Sequence, residues 1–186
     1  MGTFTNFGKT FASDSTLGVV AITNPSNAQT SDNSYATSVL LITQVSNYLK
    51  VTDFSFSIPL DATIAGVTVN IERSSNTING TVDSSVRLVK GDIISGNDKA
   101  SGALWPTADA VATYGSSTDL WGLTLTPTDI NLSTFGFVIN ASASLASTAQ
   151  IDYVSVTIDY IGSNRSGNTL MNFKVGGVMS RSEGAK

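Results

Sequence analysis

Residues 54–73 read FSFSIPLDATIAGVTVNIER, and two alternating patterns follow each other in this stretch. Apolar residues up to Ile58 alternate with serines, and from Val67 onward apolar side chains again occupy every second position. Successive side chains of a β-strand point to opposite faces of the sheet, so a period of two predicts two half-buried strands. Pro59 cannot donate a hydrogen bond within a ladder, so it separates the two strands.

Strand-like patterns recur along most of the chain. They lie at residues 17–23, 39–42, 48–51, 82–90, 120–125, 135–141 and 151–161. Asn79-Gly80 is a hairpin-turn signal, and Thr126 before Pro127 predicts the start of a helical turn. About eight strands and almost no helix predict an all-β fold, a two-sheet antiparallel β-sandwich of jelly-roll type.

The pattern divides the chain into three parts. Residues 1–34 are rich in Ser, Thr, Asn and Gly, and we expect an extended N-terminal arm with one possible strand. Residues 35–161 form the expected β-sandwich domain, and residues 162–186 form an extended, basic C-terminal tail. Within the sandwich, residues 91–118 lose the alternation and predict a long loop, which in a compact domain is usually functional.

Charge is sparse and uneven. Charged residues make up 13% of the chain and the net charge is −4. Residues 1–161 carry 13 acidic and 6 basic residues, a balance of −7, while residues 162–186 carry one acidic and four basic residues, a balance of +3. A poorly charged surface favours association. The basic tail suits the acidic surface of a neighbour or, less readily, nucleic acid, and a solubilising tail is the plainer alternative.

The residue types present exclude several chemistries. The chain has no cysteine and no histidine, so disulfides, thiolate–imidazole metal sites and His-based nucleophilic catalysis are impossible. The acidic residues are mostly single Asp residues at strand ends and turns, where local hydrogen bonding accounts for them. We therefore expect no enzymatic activity, no cofactor and no resident metal.

Two sets of residues in and beside the long loop are candidates for binding. Trp105, Tyr114 and Trp121 are interpreted as aromatic anchors that pin the loop, with a glycan-binding platform as the alternative. The oxygen-bearing side chains of Asp92, Asn97 and Asp98 could contribute to a Ca²⁺ site, but turn chemistry explains them better.

The tail contains a short apolar patch among basic residues. Exposure of such a group of apolar side chains in a monomer is unfavourable, so we interpret the patch as a partner-contact segment. The candidate contact residues are Arg165, Leu170, Phe173, Lys174, Val175, Val178 and Arg181. Deleting residues 162–186 is expected to leave the sandwich folded and to abolish assembly.

Neither a signal peptide nor a membrane span is indicated. The first residues lack a basic region followed by a continuous apolar run, and no stretch approaches 18 apolar residues. Synthesis in a cytoplasm, with no membrane partner, is the simplest expectation.

Three segments taken together resemble a known family. They are residues 56–69 (FxIPxxAxIxGVxV), residues 119–137 (DLWG, then TDIN, then FGF) and residues 151–160 (IDYVxVxIxY). The combination resembles a β-sandwich module of virion structural proteins in tailed bacteriophages and prophages, including head-decoration and tail components. The resemblance covers roughly residues 48–161.

This resemblance implies a place in a virion. Among virion roles, a capsid cement or decoration protein is expected, assembled as a homo-oligomer, most simply a homotrimer, and in contact with the major capsid protein or another virion subunit. The alternative is a tail or fibre module, or a carbohydrate-binding recognition domain. No residue-level binding site carries over from the family.

Overall fold

The computed structural model describes residues 1–162 and shows a nearly all-β protein. Ten strands and one short helix follow each other along the chain. They are β1 (Gly2–Asn6), β2 (Thr10–Asp14), β3 (Ala36–Leu40), β4 (Tyr48–Thr52), β5 (Thr63–Ser75), β6 (Thr81–Lys90), β7 (Ile93–Ser95), β8 (Ala110–Ser116), α1 (Pro127–Asn131), β9 (Gly136–Ala143) and β10 (Ser147–Ile161). A 3₁₀ turn covers Pro25–Gln29. Over this part of the chain, none of the helices is long and apolar enough to cross a membrane.

The strands form two antiparallel sheets packed face to face, as the sequence predicts. The first sheet has the order β1-β10-β5-β8, with β3 also paired to β10, and the second has the order β2-β4-β9-β6-β7. From β3 onward, β3 pairs with β10, β4 with β9, β5 with β8 and β6 with β7. In this series the first strand pairs with the last, the second with the second-last, and so on, as in a long β-hairpin folded over into two sheets. The jelly-roll prediction is confirmed.

The N-terminal segment is part of the sandwich, so the expected arm at residues 1–34 is wrong. β1 pairs with the C-terminal half of β10, from Gly2 opposite Tyr160 to Asn6 opposite Val156, and β2 pairs with β4. The strand expected at 17–23 is reduced to isolated bridges. β1 and β2 are short and polar, and both lie at sheet edges, where a strand pairs on one side only and buries few side chains. The sandwich domain therefore begins near residue 2 rather than at residue 35.

The long loop expected at residues 91–118 is also interrupted by structure. It contains β7, which pairs with β6, and β8, which pairs with β5. Both are edge strands with mostly exposed or half-buried side chains, so their sequences lack the apolar alternation of central strands. What remains irregular is the connection between them, which includes Trp105.

The stretch at 54–73 behaves differently in its two halves. β5 matches the predicted second strand, with Val67, Val69 and Ile71 fully buried. The first half shows the expected alternation of burial but belongs to no ladder. Instead, side-chain amides satisfy its backbone: Asn131 donates to the Ile58 carbonyl at 2.9 Å and accepts from the Ile58 N–H at 2.8 Å. The predicted first strand is therefore an extended segment held by side chains.

Asn79-Gly80 forms a turn, but the prediction that this turn closes a β-hairpin is wrong. Asn79 adopts a positive φ of 57°, as expected for such a turn. The flanking strands β5 and β6 then enter different sheets, so the turn is a corner between the two layers.

Between these layers lies one large core. Its largest fully buried side chains include Phe54, Trp121, Phe135, Phe137, Leu40, Leu49, Ile71, Leu88, Ile139 and Ile158.

Candidate functional site

The three aromatic residues singled out in the sequence are buried anchors. Trp105 is 2% exposed, Tyr114 5% and Trp121 0%. The Trp105 indole N–H donates to Asp83 Oδ1 at 2.8 Å, the Tyr114 hydroxyl donates to Asp83 Oδ2 at 3.0 Å, and the Trp121 indole N–H donates to the Val67 carbonyl at 2.9 Å. Burial and hydrogen bonding of all three side chains agree with the anchor interpretation, and in this structure none of the rings has a face open to a sugar.

Asp83 is the centre of a buried polar network. Besides the two aromatic donors, it accepts the backbone N–H of Ser101 at 2.9 Å and lies 2.8 Å from Nη1 of Arg73. That last contact has the distance of an ion pair but not the angle of a hydrogen bond, and Arg73 Nε also lacks a hydrogen-bond partner. The Arg73 guanidinium lies 4.6 Å from the centroid of the Trp105 ring, a cation–π contact.

Burial dominates the electrostatics of this network. It raises the pKa of Asp83, and the neighbouring Arg73 opposes that rise only in part. Burial also raises the pKa of Tyr114, with the Asp83 charge adding to the effect. All of these side chains are buried, and the network ties the Trp105 loop to both sheets.

Of the three loop residues considered as calcium ligands, Asp98 makes local turn hydrogen bonds, Asp92 forms an ion pair, and Asn97 is held through its backbone. Asp92 Oδ1 lies 2.7 Å from Lys50 Nζ, Asp98 Oδ1 accepts two backbone N–H bonds at 2.9 Å, and the Asn97 backbone N–H donates to the Trp121 carbonyl at 2.6 Å. Hydrogen bonds of this kind fix loops without an ion. Residues 1–162 contain no group of three or more His, Cys, Asp or Glu side chains that could hold a metal ion.

A small cavity lies next to Trp105, between the two sheets. Its volume is ≈ 10 Å³, and its walls include Ser38, Ser46 and Ile139. A single water molecule needs about this much space, so the cavity cannot take a sugar or an organic cofactor. A small-molecule site in this part of the core is therefore excluded by size.

One end of the sandwich has an unusual surface, which we name the uncharged end. It consists of three adjacent turns, residues 41–44, 76–80 and 144–146, with the flanking strand ends. Backbone hydrogen bonds join these turns: the Thr43 N–H donates to the Ala143 carbonyl at 2.9 Å, and the Ser144 N–H donates to the Gly80 carbonyl at 2.8 Å. Three segments distant in sequence therefore form one continuous platform.

Large apolar side chains project from this platform into solvent. They are Val39 (70% exposed), Leu41 (62%), Ile42 (59%), Ile78 (72%) and Leu145 (46%). Residues 36–47, 74–82 and 141–149, which build the platform, contain no charged side chain. Single exposed apolar residues are common on proteins, but a group of them without charge is typical of an interaction surface.

The sequence pointed to this region with a different interpretation. Residues 39–42 predict a buried strand, yet only Leu40 is buried, because β3 ends there and alternate side chains face outward. The signal that could have revealed the surface is the lack of any charged residue beside so apolar a run. The predicted contact residues of the tail (Arg165, Leu170, Phe173, Lys174, Val175, Val178 and Arg181) lie outside the described residues.

Comparisons with known proteins add little to this geometry. No protein-family model and no curated protein matches the chain. Among solved structures, the chain is similar to "BiXyn10A CBM1 APO", with 8% sequence identity, a TM-score of 0.37, and coverage of 85% of this chain and 96% of the other. A TM-score this low supports no functional argument.

Proposed function

We propose that this chain is a non-enzymatic structural protein of a tailed-bacteriophage virion, and within that class a cement or decoration protein of the capsid. The observation that carries the proposal is the uncharged end, where five large apolar side chains are exposed. Leaving such a surface in water is unfavourable, and covering it with another protein removes that cost. The chain therefore acts by binding neighbouring subunits.

The placement in a virion is supported by the sequence. The combined patterns at residues 56–69, 119–137 and 151–160 resemble virion β-sandwich modules. Jelly rolls occur in viral capsid proteins and also in lectins, so the fold agrees with the proposal without selecting it. The aromatic rings considered as a glycan platform in the carbohydrate-binding alternative are buried, which favours the structural role.

Several charged side chains of the sandwich pair with each other. Lys99 Nζ lies 2.6 Å from an Asp119 carboxylate oxygen, and Lys90 Nζ lies 3.1 Å from an oxygen of Asp129. Both pairs join loops to other parts of the sandwich and stabilise a rigid body. A rigid body that presents a fixed surface suits a protein whose task is to hold other subunits together.

The partners in this proposal are further copies of the chain, most simply in a trimer, and the major capsid protein. Residues 1–161 carry a balance of −7 and residues 162–186 a balance of +3, so the tail is electrostatically suited to an acidic neighbour. Contact between the tail and the shell remains a prediction from the sequence.

Addition of the purified chain to capsids that lack it tests the proposal. The capsids would come from the phage or prophage that encodes the chain, with this gene deleted. Rebinding to heads, seen by electron microscopy, and a higher temperature of capsid rupture are the expected results. Binding to tails alone would show that the protein is a tail component instead. If the chain binds no part of the particle, the virion assignment is overturned.

A further inference from the structure

We propose that the uncharged end is the surface through which copies of this chain associate with one another. This inference rests on the proposed function and deepens it, because it assigns the self-association of an assembly protein to a named surface. The surface consists of the turns at 41–44, 76–80 and 144–146 and of β3, with its exposed Val39.

Charge favours a second copy as the occupant. Residues 1–161 carry a balance of −7, so two copies repel each other when their charged faces meet. The three segments that form the uncharged end contribute no charged side chain, although the Asp109 carboxylate lies beside them and accepts from the Ser74 hydroxyl at 2.7 Å. Apolar side chains are complementary to other apolar side chains. A surface made of Ile, Leu and Val among uncharged polar residues can therefore meet itself without any like-charge contact.

Other classes of occupant lack the matching chemistry. Nucleic acid is bound through Lys and Arg, and residues 36–47, 74–82 and 141–149 contain neither. Surfaces that rest on membranes usually combine basic residues with Trp, Tyr or Phe, and these three segments contain no aromatic residue. Another protein with an uncharged apolar surface is the remaining competitor, and the experiment below separates it from a second copy.

The platform is also held rigid before any contact is made. The Asn76 N–H donates to the Thr148 carbonyl at 3.2 Å, Thr148 N–H donates back to the Asn76 side chain at 2.7 Å, and the Thr77 hydroxyl donates to the Ala146 carbonyl at 3.2 Å. Two of the three turns are thus tied to each other by backbone and side-chain bonds. Exposed side chains on a fixed backbone lose little further freedom on association.

Sedimentation equilibrium of the full chain, with matched lysine variants, tests the inference. Ile78 in the uncharged end is 72% exposed, and Ile93 in β7, which pairs with Lys90 at the opposite end of β6, is 70% exposed. Ile78→Lys places like charges at a self-contact and is expected to raise the dissociation constant by roughly 100-fold. Ile93→Lys is expected to leave it unchanged. Circular dichroism of both variants checks that the fold is retained, and Ile42→Lys serves as a second variant.

The outcomes separate this inference from the proposed function. Loss of association in Ile78→Lys and Ile42→Lys, but not in Ile93→Lys, supports a self-contact at the uncharged end. If the wild-type chain is a monomer of 19.3 kDa at every concentration, or if both variants associate normally, the inference is overturned. A wild-type monomer that still rebinds heads, while Ile78→Lys does not, would assign the surface to another virion protein and leave the proposed function standing.

Discussion

Arg73 and Asp83 join the two sheets of the sandwich, with Nη1 of the guanidinium 2.8 Å from Oδ1 of the carboxylate. Arg73 lies in β5 of the first sheet and Asp83 in β6 of the second. Both side chains are buried, so neither charge can be compensated by water if the other is removed. The pair therefore acts as a tie across the core.

Asp83→Ala is expected to lower the free energy of unfolding by about 3–5 kcal/mol, because it leaves the Arg73 charge buried and unpaired. Urea denaturation followed by tryptophan fluorescence measures the change. Asp92→Ala is the matched control, since its carboxylate pairs with Lys50 at the surface, and a change below about 1 kcal/mol is expected there. Equal losses of unfolding free energy in the two variants would show that the buried pair stabilises the fold no more than the surface pair does.

Asn131→Ala is expected to release the extended segment before β5. The Asn131 side chain makes both hydrogen bonds of the Ile58 backbone, so its removal leaves a donor and an acceptor unpaired and costs about 1–3 kcal/mol. Amide hydrogen exchange at Ile58 should become faster, while exchange at Val69 in the centre of β5 follows only the global loss of stability. Rapid exchange of Ile58 already in the wild-type chain would contradict this role.

Asp98→Asn is expected to weaken the acid sensitivity of the fold. Burial opposes ionisation of Asp98, but hydrogen bonds from the Val86 and Ala100 amides and the Ser85 side chain, together with the Arg87 charge, outweigh it and lower the pKa of the carboxyl. A pKa lower in the folded than in the unfolded state adds stability above the unfolded value, and this is lost as pH falls through the folded value. Urea denaturation between about pH 4 and pH 2 should show a shallower decline in the variant. If the unfolding free energy declines equally with pH in the wild type and the variant, Asp98 does not contribute to the acid sensitivity.

A chain ending at Gly162 is expected to fold, because it retains all ten strands of the sandwich. Its free energy of unfolding should match that of the full chain within about 0.5 kcal/mol, while attachment to capsids should be lost with the basic tail. Denaturation curves and the capsid rebinding assay measure the two effects. Unfolding of the shortened chain would show that the tail belongs to the core.

The sequence predicts the central strands well because burial on one face leaves a clear period of two. This holds for β5 and for much of β6 and β10. In β9, residues 136–141 are buried on both faces, but Phe137, Ile139 and Ala141 still occupy alternate positions. The helical turn was also predictable, since its Thr126 cap with Pro127 following is a local signal, and the structure shows a full capping box with Asp129.

The edge strands and the uncharged end could not be predicted in the same way. β1 and β2 are short and polar, and what makes them strands is pairing with β10 and β4, far away in the sequence. The apolar run at 39–42 gave a signal for burial, but its exposure depends on where β3 stops and which turns surround it. Contacts between distant segments decide both features, and the local sequence marks the uncharged end only by the lack of charged residues beside residues 39–42.

A near-atomic image of the assembled protein, on its capsid or as a purified oligomer, tests most directly whether subunits meet at the uncharged end. We predict that Ile42 and Ile78 are buried against a neighbouring copy, with Leu41 and Leu145 beside them in the same contact. An assembly in which these side chains remain in solvent, while a charged face of the sandwich is covered instead, would contradict that prediction.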